Sequence, residues 1–136
     1  MKKISNGLIG VLCLFLASGA YSKAPDMDVF QKCMGRTKQD RLTCSTGCGL
    51  ILQQCYDEGV ADINDRASRL LSQIKSESGS ACKDPAETYL SDAMHMESDV
   101  AQKANDILGW AGSELALSFA RQRLDNLGLI RQSCKP

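Results

Sequence analysis

The chain has 136 residues, and its 16 Lys+Arg are balanced by 16 Asp+Glu. One domain is the most such a length supports, and a balanced charge gives no cationic surplus for binding nucleic acid. A single histidine leaves little from which to build a His-based metal site or a Ser-His-Asp or Cys-His enzyme. Seven cysteines and only 5% aromatic residues point instead to a small, aliphatic, disulfide-dependent core.

The N-terminus reads as an export signal. Lys2 and Lys3 precede an apolar run, GLIGVLCLFLA, and Ala20-Tyr21-Ser22 places small residues at the −3 and −1 positions of a cleavage site. The apolar run is too short to span about 30 Å of hydrocarbon. Cys13 follows Leu12 rather than a small residue, which argues against lipidation. Cleavage after Ser22 divides the chain into a signal, residues 1–22, and one helical cysteine-rich domain, residues 23–136. The destination is periplasmic or secreted, with no membrane insertion after cleavage.

Along the mature chain the first signal is Asp26-Met27-Asp28-Val29-Phe30, a capped helix start. This first helix is short, weakened by Gly35 and the polar stretch to Arg41. Ser45-Thr46-Gly47 marks a turn. Then Cys48, Leu52, Cys55, Val60, Ile63, Ala67, Leu70 and Ile74 recur at three- and four-residue steps, predicting a helix over 49–75. Residues 76–80 have loop composition. Asp84-Pro85-Ala86-Glu87 reads as a helix cap with Pro at the first position. Beyond it, Ala86, Tyr89, Ala93, Met96, Val100, Ala104 and Ile107 form the expected buried stripe. Gly109 and Gly112 predict a corner, Ser113 a new cap, and Gly128 a stop. No run alternates with period two. The expectation is an all-α, disulfide-stapled bundle of three to four helices.

After loss of Cys13 with the signal, Cys33, Cys44, Cys48, Cys55, Cys82 and Cys134 remain, an even number that allows 15 full pairings. A hairpin about residues 45–47 would nest Cys44–Cys48 inside Cys33–Cys55. For Cys82 and Cys134 the question is reach. One straight helix over 85–128 would be about 66 Å long, far beyond the roughly 7 Å that a disulfide spans between Cα atoms. A corner at 109–113 folds the second arm back and brings the two cysteines together.

Other constellations carry less weight. Cys33, Cys44, Cys48 and Cys55 could form a thiolate stripe for a soft metal such as Cu(I), but an oxidising compartment favours disulfides. Met94-His95-Met96, with Met27 and Met34, resembles a copper-binding set. On a helix, though, Met94 and Met96 point about 200° apart, so Met96 is expected in the core with Met94 and His95 outside. The acid pairs Asp57/Glu58, Asp62/Asp65 and Asp92/Asp99 read as solvated helix faces rather than a hydrolytic dyad. Trp110 is the one candidate binding residue, Trp being a frequent hot spot; the alternative is a bulky lid on the bundle's end. No cofactor and no metal site are expected.

Residues 44–74 resemble the first half of the LprI-like lysozyme-inhibitor domain family of exported bacterial proteins. The resemblance is carried by Cys44, Gln54-Cys55, Ala61-Asp62-Ile63-Asn64, Ala67 and Leu70, with Arg131 and Cys134 matching near the end. It implies an all-helical, disulfide-bonded, non-enzymatic binder of a cell-wall hydrolase. Immunity proteins against periplasmic toxins share the same physical profile. The expected function is therefore an exported binding protein that occludes a protein partner, such as a peptidoglycan-degrading enzyme or toxin. The alternatives are a copper-handling protein or an assembly factor of an envelope machine.

Overall fold

The computed structural model describes residues 28–108 and 110–134. The expected signal peptide, its cleavage site, Cys13 and Met27 lie outside these residues. The described residues contain five helices and no strand: α1 (Val29–Arg36), α2 (Lys38–Thr43), α3 (Cys48–Glu77), α4 (Ser80–Leu108) and α5 (Ala111–Ser133). The chain is thus all-α, with two short helices and three long ones where three to four were expected.

Each boundary has a local cause. Asp28 caps α1 by accepting from the Gln31 N–H at 2.8 Å. Thr37 ends α1, its N–H and its hydroxyl both returning to the Cys33 carbonyl. Gly47 sits at φ +71°, the left-handed region open to glycine, and reverses the chain into α3. α3 runs 30 residues, about 45 Å, two residues further than expected at its C-terminal end. Only Ser78 and Gly79 separate it from α4, so the two helices form an antiparallel hairpin. α5 runs back from Ala111, antiparallel to α4 and parallel to α3.

Three expectations about boundaries are corrected. The Asp84-Pro85 cap is not a helix start, because α4 begins at Ser80 and Pro85 lies inside it. The Gly79 carbonyl accepts from the Cys82 and Lys83 N–H groups and opens the helix a turn earlier. That extra turn carries Cys82 onto the core face beside Ile74 and Leu127. Ser113 does not cap α5; Trp110 holds that position without a side-chain hydrogen bond, and the Ser113 hydroxyl donates to Gln53 Oε1 at 2.8 Å. Gly128 does not stop α5, which continues to Ser133. The cost of a helical glycine, about 1 kcal/mol relative to Ala, is outweighed by the burial of Leu127 and the packing of Ile130.

Disulfides join Cys33–Cys55, Cys44–Cys48 and Cys82–Cys134, with Cα separations of 5.3, 5.7 and 6.0 Å. The first fastens α1 to α3, the second closes the turn before α3, and the third ties the start of α4 to the end of α5. The helical arms explain the last. From Cys82 to the corner is about 39 Å, and from Ala111 to Cys134 about 35 Å, so helix alone returns Cys134 to Cys82.

The core has two parts. Tyr56, Ile63, Leu117 and Ala120 form one, flanked by Phe30, Leu52 and Val60. Ala67, Ile74, Ala86 and Leu127 form the other, flanked by Leu70, Leu71 and Leu90. Leu124 touches both. Among the described residues no helix is long and apolar enough to cross a membrane.

Candidate functional site

The buried face of α4 departs from the expected stripe. Met96, Val100 and Ile107 are exposed, while Ala86, Ala93, Glu97 and Ala101 are buried. Small residues and one carboxylate therefore face α3 and α5 in the second half of α4. In the first half Leu90, with Leu70 and Leu71 of α3, fills the interhelical space. In the second half nothing comparable does. α3 and α4 are left as the walls of an open groove of about 570 Å³, with α5 as its floor.

The walls share one spacing. Gln53, Asp57, Ala61 and Asn64 line the groove from α3, and Met94, Ser98, Gln102 and Asn105 line it from α4. Each set steps by four, four and three residues, which is a straight stripe on a helix about 16 Å long. Gly112, Ser113, Ala116 and Arg123 form the floor. Gly112 sets how closely α5 approaches, since a Cβ there would collide with the Ala101 carbonyl oxygen.

At one end of the floor lies a buried polar cluster between the two halves of the core. Arg123, its side chain only 4% exposed, donates to Glu97 Oε2 and to Asn64 Oδ1. Its Nε is buried without a partner. Burial pushes the Glu97 carboxyl above its ordinary range, with the Arg123 guanidinium pulling the other way. Near the opposite end the Tyr56 hydroxyl donates to Glu114 at 3.2 Å. Burial, then the Glu114 charge, hold this phenol above its usual value. Asp57 accepts from its neutral neighbour Gln53 at 2.7 Å.

The residues singled out from sequence are dispersed. Trp110 is 42% exposed at the bundle's end, where its ring lies over Gly49, one helical turn from Gln53. Met94 borders the groove. His95 and Met96 are exposed on α4, with His95 Nδ1 3.9 Å from Asp99; the expectation that Met96 lies in the core is corrected. The four cysteines of the proposed thiolate stripe are paired with one another as disulfides. Among the described residues no three His, Cys, Asp or Glu side chains gather as a metal site.

Sequence reasoning missed Glu97, Arg123 and the groove. The available signal was the small-residue line Ala86, Ala93, Ala101 and Ala104, with Glu97 set into it. Weighting by hydrophobicity favoured Met96, Val100 and Ile107 instead. Of the residues carrying the family resemblance, Cys55, Ile63 and Ala67 are buried in the core, while Ala61 and Asn64 line the groove. No family model, curated protein or solved structure matches the chain.

Proposed function

We propose that this chain is an exported, non-enzymatic binding protein that occludes a protein partner, a cell-wall hydrolase such as lysozyme or a toxin of that kind. The observation that carries the reading is the groove itself. It is an open trough of mixed apolar and polar lining, with α3 fastened to α1 by Cys33–Cys55 and α4 fastened to α5 by Cys82–Cys134. A surface fixed before the encounter loses little conformational entropy on binding. Three disulfides also suit a protein that works in an oxidising compartment.

The titratable groups at the groove make structural contacts, and Asp57 accepts from Gln53. Glu97 is paired with Arg123, and Tyr56 donates to Glu114. The only histidine is exposed on α4 beside Asp99. A steric mechanism asks nothing of them. The copper-handling reading loses its thiolates to disulfides, and no observation favours it.

The test is inhibition. Oxidised mature protein is titrated into lysozyme and a panel of peptidoglycan hydrolases clearing cell-wall suspensions. The reading expects stoichiometric inhibition of at least one, with no change in the suspension when the protein is added alone. Full activity of every hydrolase at tenfold molar excess would reject it.

A further inference from the structure

We propose that the groove takes an extended peptide segment of about five residues that carries a lysine or arginine, held by the amides of its walls and the carboxylate of Asp57. This inference rests on the binding reading above and names the partner chemistry of the same site.

The α4 wall selects the backbone shape: along about 16 Å it presents Ser98, Gln102 and Asn105, which can pair with the free N–H and C=O groups of an extended chain, whereas a helix has already paired its own. An extended chain rises about 3.3 Å per residue, so five residues span the same length. With one row of side chains directed to solvent, such a segment fits.

The lining selects the chemistry. Gln102 and Asn105 place carboxamides along the α4 wall; on the α3 wall Asn64 keeps its amide N–H groups for a ligand, while Gln53 is held between Ser113 and Asp57. A carboxamide both donates and accepts, as a peptide backbone does. A sugar would need an exposed aromatic face for its apolar side. The one ring in the lining, Tyr56, is 8% exposed and packs with its centroid 4.9 Å from that of Phe30, and the exposed ring of Trp110 lies over Gly49, outside the lining.

Charge selects the side chain. The lining contains two carboxylates, Asp57 and Glu97, and one cation, Arg123. Arg123 is neutralised by Glu97 at the floor. The hydrogen bond to Asp57 comes from the uncharged Gln53. The wall is left with one uncompensated negative charge, and Glu114 adds another beside Tyr56. A basic residue satisfies this site, whereas an acidic one meets repulsion.

The test uses the oxidised mature protein and fluorescein-labelled, end-capped pentapeptide pools with a fixed central Lys, Arg or Glu, read by anisotropy, with a trimer of N-acetylglucosamine as competitor. The Lys and Arg pools should bind at least tenfold tighter than the Glu pool. Asp57→Lys, a change at an exposed position, should weaken them tenfold or more, and Asp99→Lys, away from the groove, should not. Equal binding of the Glu pool, unchanged binding by Asp57→Lys, binding of the trisaccharide alone, or no peptide binding at millimolar concentration would each overturn the assignment. Peptide binding without inhibition of any hydrolase would leave the groove assigned and refute the occluding function. Inhibition undiminished in Asp57→Lys would do the reverse.

Discussion

Removing the carboxylate of Glu97 should be among the most damaging single changes available to this fold. Its partner Arg123 is 4% exposed in its side chain, and its Nε already lacks an acceptor. Glu97→Ala would leave a buried guanidinium with Asn64 as its remaining partner. Breaking a buried pair from one side typically costs about 3–5 kcal/mol, because the surviving charge stays desolvated. In a domain of this size that lowers the melting temperature by on the order of 15 °C. The double variant Glu97→Leu/Arg123→Met removes both charges and should recover most of the loss, since a buried ion pair is often no better than an apolar pair of similar volume. Urea and thermal unfolding of the oxidised proteins, followed by circular dichroism, give both values. A loss below about 1 kcal/mol for Glu97→Ala, or a double variant no more stable than the single one, would refute a compensated buried pair.

The same carboxyl predicts a pH trend. Its folded pKa is raised because burial outweighs the Arg123 guanidinium, so protonation adds a pH-dependent increment of stability that is largest below the unfolded value and is lost as pH rises through the folded one. The stability of the wild type relative to Glu97→Gln should therefore grow between pH 7 and pH 4.5 in paired urea melts; a shrinking difference contradicts it. Asp28 has the opposite sign. Burial raises its pKa, but the Gln31 N–H and Arg121 outweigh it and hold the carboxyl below 3.8, so its stabilisation is lost only as pH falls below that value. Asp28→Ala should cost about 1 kcal/mol at neutral pH through the lost cap, measured by the same melts. Ile63, 3% exposed, tolerates no charge: Ile63→Asp should cost roughly 3 kcal/mol or more while Asp65→Ala melts near the wild type, and equal melts would contradict the phase of α3. Paired Cys→Ser replacements should rank by loop length, the 52-residue Cys82–Cys134 closure costing about 4 kcal/mol and the 4-residue Cys44–Cys48 closure about 2 kcal/mol, checked by urea midpoints.

What the sequence made legible depended on how strongly each residue narrows the backbone. α3 was readable because Ile63, Ala67, Leu70 and Ile74 hold one phase along a helix with a single apolar face. The reversal between α4 and α5 was readable from two glycines in the sequence and the reach that Cys82 and Cys134 demand. Pro85 misled, because proline signals a first turn but is tolerated later when the helix gains something by starting sooner; here it gains the disulfide at Cys82. Gly128 misled for a similar reason, the packing of Leu127 and Ile130 overriding a weak local preference. The groove was hidden because it arises from absence of bulk. Ala93 and Ala101 leave space that no periodicity reports, and Glu97 looks like a surface charge until α5 delivers Arg123 beside it.

The central claim is that a disulfide-held groove, and no chemistry of the chain's own, acts on a protein partner. The most direct measurement compares inhibition of the target hydrolase by three oxidised proteins at equal concentration: the wild type, Asp99→Lys, and Ala61→Arg, which fills the trough from an exposed position on its α3 wall. The account predicts stoichiometric inhibition by the first two and at least a tenfold loss for Ala61→Arg with its helical content and melting temperature preserved. Equal inhibition by all three would contradict it.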